Sequence, residues 1–143
     1  MKISIVAFQK HKNSDYQAAE AEYIKRLSRF TQIDIREIKS WTQSTELPLD
    51  LSKSTFRIGL HVEGKQYESK ELANHLQALM NTGNSHPVLV IGGPEGMPAG
   101  VESQLQERWS LSPLTFSHQL ARVVLLEALY RSFDLLHGGR YHK

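Results

Sequence analysis

Val88-Leu-Val-Ile-Gly-Gly-Pro-Glu-Gly96 is the stretch on which the reading of this chain turns. A short apolar run of β type stops in two glycines, whose missing Cβ lets a ligand approach the backbone, and the proline and glutamate that follow end the strand. In open α/β sheets, ligands bind at the carboxyl ends of strands. Residues 92–96 are therefore the first candidate for a small-molecule site, although Gly-Gly-Pro also makes ordinary tight turns.

Upstream of this run, strands and helices alternate. Lys2 to Phe8 reads as a strand, and Ser14 or Asp15 can cap a helix whose apolar stripe is Tyr16, Ala19, Tyr23, Leu27 and Phe30. Ile33, Ile35 and Ile38 mark a second strand. Lys39 to Ser54 has no clear period and reads as a loop; Thr55 to Val62 is a third strand, with a turn at Gly64. Glu68 to Met80 is a helix with Leu72, Leu76 and Leu79 on one face, leading through residues 82–86 into the strand at Val88.

Downstream, Gly100 to Arg108 reads as a short helix, and Pro113 makes Trp109 to Phe116 an irregular loop or sheet edge. Ser117 can cap a long helix that runs to about Leu136 and stops at Gly138 and Gly139. The pattern predicts one α/β domain over residues 1–143 with a mainly parallel sheet. The last helix is apolar around nearly its whole circumference, from Leu120 to Phe133. Such a helix is either central or shared with a second subunit, and a twofold homodimer is the commonest form of sharing.

Composition narrows the function classes. The chain has no cysteine, which excludes disulfides, thiolate metal sites and cysteine nucleophiles. His11, His61, His75 and His86 show no metal-ligand spacing, and there is no phosphate-binding loop of Walker type or nucleophile elbow. No apolar stretch approaches bilayer length and the first residues open directly on an alternating strand, so a soluble cytoplasmic protein without a membrane partner is expected. A net charge of +2 gives no global argument for nucleic acid. Locally, however, Arg122, Arg131, Arg140, Lys143, His137 and His142 face only Glu127 and Asp134 after His118.

Six short motifs then recur in one order: Val-Ile-Gly-Gly-Pro-Glu-Gly at 90–96, Leu-Ser-Pro-Leu-Thr-Phe at 111–116, His118-Gln119, Arg122-Val123, Glu127 to Arg131, and Tyr141-His142-Lys143. Together they resemble the bacterial ribosomal RNA large subunit methyltransferase H family, pseudouridine methyltransferases of the SPOUT class, most strongly from Val88 to Lys143. The resemblance implies a SPOUT-type fold with a C-terminal trefoil knot, S-adenosylmethionine held in the knot loops of residues 88–143, no metal, and a homodimer across the last helix. It implies methylation of the N3 position of a pseudouridine in the intersubunit-bridge hairpin of 23S rRNA, on the assembled 70S ribosome. Carried over by position, the cofactor contacts are Leu60, Gly92, Leu111, Ser112, Pro113, Leu114, Thr115 and Phe116.

Three positions depart from the family. Ser117 stands where relatives carry proline, residues 39–54 are shorter than the usual insert with its own helix, and Arg140 adds a charge before Tyr141. The shorter segment leaves room for two other readings: a SPOUT methyltransferase acting on another RNA such as tRNA, or a ribosome-associated binding protein without turnover.

Methyl transfer from a sulfonium needs an aligned nucleophile, so positioning carries most of the catalysis, and a base helps at an imide nitrogen. His142 is the candidate for proton acceptance or substrate placement, since imidazole titrates near working pH; the alternative is a frayed terminus. Arg122 joins His142 in the catalytic set, and Arg131, Tyr141 and Lys143 fall on the substrate side. Both arginines lie on an apolar helix, where they either bind RNA phosphate or pair with Glu127 and Asp134 across a dimer. His118 is expected to close the cofactor loop by a hydrogen bond. Glu95 is either an active-site acid or a turn residue, and Trp41 and Trp109 are read as packing residues ahead of base-stacking platforms.

Overall fold

The computed structural model describes residues 1–10 and 15–142. Five strands, β1 (Lys2–Phe8), β2 (Gln32–Ile38), β3 (Phe56–Gln66), β4 (Pro87–Ile91) and β5 (Glu107–Ser110), form one sheet in the order β2-β1-β4-β3-β5. Every pairing is parallel. Parallel sheets survive only with both faces covered, which is why β1 and β4 are almost wholly buried.

The alternation along the strands sorts their side chains into two cores. Ile3, Ile5, Leu89 and Ile91 point to a layer of three helices, α1 (Gln17–Leu27), α3 (Ser69–Asn81) and α5 (His118–Leu136). Leu125, Leu126, Leu129 and Phe133 put the inner face of α5 at the centre of that layer, packed on both α1 and α3. Val6, Phe8, Val88 and Val90 point to the opposite face. Short helices and loops cover it: residues 39–54, including α2 (Leu49–Ser52), and residues 97–105, including α4 (Ala99–Glu102).

Several boundaries differ from the sequence reading. Residues 39–54 carry the single turn α2 and are firmly docked, with Leu47 and Leu51 in the second core, Gly100 N donating to Gln43 O at 2.9 Å and Leu47 N to Gln104 Oε1 at 2.8 Å. Gly64 is not a turn: β3 runs through it to Gln66. A Cβ there would stand 2.7 Å from the Trp109 backbone, so this glycine admits the neighbouring strand. Glu107 and Arg108 belong to edge strand β5 rather than to a helix. The first helix starts from Tyr16 without a side-chain cap, so Asp15 does not cap it, and Ser14 lies outside the described residues. Ser117 does cap α5, its Oγ accepting from Leu120 N at 3.3 Å.

Candidate active site

The middle of β3, the carboxyl end of β4 and the segment leaving β5 open onto a cavity of about 620 Å³. Leu60 and Gly92 stand on the strand side of it. Leu111, Ser112, Leu114, Thr115 and Phe116 form the opposite wall, while Pro113 lies in the same loop without lining the cavity. Leu114 is 72% exposed and Val62 45%, so apolar side chains rim the opening. Apolar walls, backbone groups from two loops and few charged side chains suit a nucleoside-sized ligand, and the volume falls within the usual range for such sites.

The glycines of residues 92–96 serve the loop itself. A Cβ on Gly92 would stand 2.8 Å from the Gly96 carbonyl carbon, and one on Gly93 would stand 2.8 Å from Trp41 Cζ2. The chain folds back at once: Gly96 N donates to Gly93 O at 2.9 Å, and Gly96 takes a φ of 97° that L side chains rarely adopt. The close approach expected of a ligand is thus already made by the protein's own backbone and by Trp41. Glu95 sits in this turn and lines a smaller neighbouring cavity.

His61 and His118 also line the large cavity; the sequence assigned no role to His61 and to His118 that of closing the cofactor loop by a hydrogen bond. His61 follows Leu60 directly on β3, and Glu102 holds its Nε2 at 2.9 Å while also accepting from Arg108 Nε at 2.6 Å. Burial pushes the Glu102 carboxyl up, but Arg108 and His61 outweigh it and hold the group below its ordinary value. Burial, and then the charge of Arg122, push the His118 pKa down, so this ring meets the cavity neutral at pH 7.

Arg122 is absent from the lining of the cavity. Its guanidinium is buried and turned into the protein, with Nη1 donating to Gln9 Oε1 at 3.0 Å, Nη2 to Glu20 Oε1 at 2.7 Å, and Glu37 at 3.7 Å. Within the chain its partners are thus Gln9, Glu20 and Glu37 and not Glu127 or Asp134. Its Nε is buried with no hydrogen-bond partner among the described residues.

The tail forms a separate group at the far end of α5. Arg131 donates to Glu127 through Nε at 2.9 Å and through Nη2 at 2.5 Å, and its Nη1 lies 3.0 Å from His142 Nδ1. A guanidinium can only donate, so Nδ1 must accept and the ring proton sits on Nε2. Tyr141 packs edge-on against Tyr130, lies under the Arg131 guanidinium and meets the Tyr23 hydroxyl at 3.4 Å. The Tyr23 hydrogen bond and burial push the Tyr141 phenol up to about 12, so it stays protonated. Tyr141 N donates to Asp134 Oδ2 at 3.0 Å, which makes this end a docked segment rather than a frayed one. Lys143 and His11 lie outside the described residues.

A family described as "Predicted SPOUT methyltransferase" matches residues 1–142. The chain belongs to that family. Among curated relatives, the Coprothermobacter proteolyticus protein named ribosomal RNA large subunit methyltransferase H is 36% identical over 144 positions, and the Acetivibrio thermocellus protein of that name 33% over 159. A Methanococcus vannielii protein, to which the same name is attached provisionally, is 37% identical over 160 positions. Each alignment covers all of both chains, so the type H branch of the SPOUT family is the one to which the chain belongs. The 144-position alignment also means that a relative bearing the name is as short as this chain. The structure resembles a probable methylase family protein from Haemophilus influenzae Rd KW20, with a TM-score of 0.60 over 99% of this chain and 70% of that one, at 12% identity, which speaks to the fold alone. For this SPOUT family member, no group of three or more metal-ligating side chains occurs among the described residues, and no helix there is long and apolar enough to cross a membrane.

Proposed function

We propose that the protein transfers a methyl group from S-adenosylmethionine to N3 of a pseudouridine in the intersubunit-bridge hairpin of 23S rRNA, as a homodimer acting on the assembled ribosome in the cytoplasm. One observation carries the reading: the two loops that resemble the family's cofactor loops, residues 92–96 and 111–116, converge on a single cavity of nucleoside size. The names of the full-length relatives support ribosomal RNA as the substrate class. The C-terminal trefoil threading that the resemblance implies is part of the same proposal.

When bound, S-adenosylmethionine supplies a methyl group on a positively charged sulfur, open to attack by a nitrogen lone pair. In this reading, backbone groups around Gly92 and between Leu111 and Thr115 hold the adenosine moiety, with Leu60 and Phe116 excluding water from it. His118, neutral at pH 7, closes the loop beside them. Arg122 braces the start of α5 through Gln9 and Glu20 without touching the cavity, and so acts as a positioning residue.

His142 poses a problem of distance. Its partner Arg131 lies about 20 Å further along α5 than His118, at about 1.5 Å of rise per residue. Within one chain, then, the tail and the cavity occupy opposite ends of the same helix. A twofold pair with α5 antiparallel to its copy brings each tail to the partner's cavity, and half-buried Leu120 and Val124, which do not pack on the core, give the outer face of α5 an apolar strip for such a contact. Tyr141 and Arg131 then fall on the RNA side, to which the resemblance also assigns Lys143. With Nε2 protonated, His142 places the base by donating a hydrogen bond, and it becomes a proton acceptor only after leaving Arg131.

Calorimetric titration of the folded dimer with S-adenosylmethionine tests the premise, and absence of binding would overturn the enzymatic reading. Methyl incorporation into 70S ribosomes, free large-subunit rRNA and bulk tRNA then tests the substrate. Label confined to 70S ribosomes is expected; label confined to tRNA would sink the proposed target.

A further inference from the structure

A second cavity, of about 180 Å³, adjoins the first. Lys10, Trp41, Pro94, Glu95, His118 and Gln119 line it, and Pro94, His118 and Gln119 line both. The two spaces are therefore neighbours across a wall built from the residue 92–96 turn and the first turn of α5. Neither Trp41 nor Lys10 has a role in the reading above.

Trp41 is fixed in place without being fully enclosed. Its ring meets Phe8 edge to face, with centroids 5.4 Å apart and planes at 75°, and it rests so closely on Gly93 that no side chain fits there. The residue is only half-buried, and Lys10 Nζ lies 5.5 Å from the ring centre. It belongs to residues 39–54, whose backbone is docked on residues 97–104, so the indole is a preset wall rather than a flexible arm.

We propose that this smaller cavity takes the planar base of the acceptor nucleotide, with Trp41 as its stacking wall and Lys10 as the cation beside it. The proposal rests on the large cavity being the methyl donor's site, since only then does a shared wall place donor and acceptor side by side. The volume suits one ring rather than a whole nucleotide. The polar groups suit an imide edge, which presents two carbonyl acceptors around one N–H donor: Gln119 offers both a donor and an acceptor, His118 a neutral ring, and Glu95 an acceptor. Enzymes that act on a base take it out of its stack into such a pocket, reading its edge by hydrogen bonds and its face by stacking. Lys10 supplies the positive charge that the phosphate of an extruded nucleotide requires.

The test uses the full-length protein and, as substrate particles, 70S ribosomes from cells lacking it. Trp41→Ala is expected to raise the KM for particles about ten-fold or more, the loss expected of one base–aromatic stack, with S-adenosylmethionine affinity unchanged and Trp41→Phe recovering most of the loss. An unchanged KM in a variant that melts like the parent would overturn the proposal, as would an equal loss of S-adenosylmethionine binding, which would make Trp41 a wall of the donor site. Photo-crosslinking the parent protein to rRNA containing 5-iodouridine decides the matter even if Trp41→Ala does not fold: attachment at Trp41 supports the proposal, and attachment elsewhere alone refutes it. A parent protein that binds no S-adenosylmethionine would instead defeat the function proposed above.

Discussion

The two halves of α5 carry one arginine each, and they use them in opposite ways. Arg122, in the amino-terminal half, is buried and shared among Gln9, Glu20 and Glu37, groups drawn from distant parts of the chain. Arg131, in the carboxyl-terminal half, is half-buried and bonded to Glu127 and His142, its own neighbours on the helix and tail. The first arginine holds the fold together around a cavity. The second holds a tail at the surface, where an RNA or a second subunit can reach it. Sequence position alone makes the two look equivalent; burial and partner choice separate them.

The sharpest way to break this contrast is Arg122→Ala, which leaves carboxylates facing an emptied, largely buried site. Chemical denaturation is expected to show a loss of about 3–5 kcal/mol, as for a broken buried pair, against about 1 kcal/mol or less for Arg131→Ala. Equal losses would erase the distinction. Next in size is the effect of His142→Ala on catalysis: about 100-fold lower turnover with S-adenosylmethionine affinity unchanged. A mixed dimer of His142→Ala with Gly92→Val, whose added side chain displaces the residue 92–96 turn at the large cavity, sharpens it further. Activity returns in the mixture if each tail serves the partner's cavity, and stays absent if the tail serves its own. The smallest effect is expected for Ser117→Ala, which removes the cap at the cavity end of α5 at about 1 kcal/mol of stability, measured by urea denaturation.

Strands β1, β2 and β4 and helices α3 and α5 could be read directly from the chain, because burial of one or both faces imposes a period on their side chains. Strand β5 could not: four residues at a sheet edge, held by β3 alone, are too few to show alternation. Gly64 misled for a related reason. A glycine that admits a neighbouring backbone and a glycine that turns a chain look identical until the neighbour is known. At the site, the motif loops pointed to Leu60, Gly92 and residues 111–116, and the structure gathers all of these except Pro113 around one cavity. Trp41 and Lys10 were not legible as a pair lining the smaller cavity, nor His61 as a wall of the larger one, since each meets its neighbours only in the folded chain. The partners of Arg122 were hidden in the same way, lying roughly a hundred residues away in the cases of Gln9 and Glu20.

The strand order has a consequence for how the chain is made. Strand β1 lies between β2 and β4, with Ile5 opposite both Ile35 and Leu89, so one edge of the first strand stays open until Ile91 has been synthesised. The apolar face of α1 waits longer still, because α5, which covers it, is made after α2, α3, α4 and all five strands. Contacts this distant in sequence are slow to close, and an emerging chain begins from its amino terminus. Closure of this core therefore waits for α5: the element that completes the hydrophobic layer during biosynthesis is the same helix that spans the distance from cavity to tail.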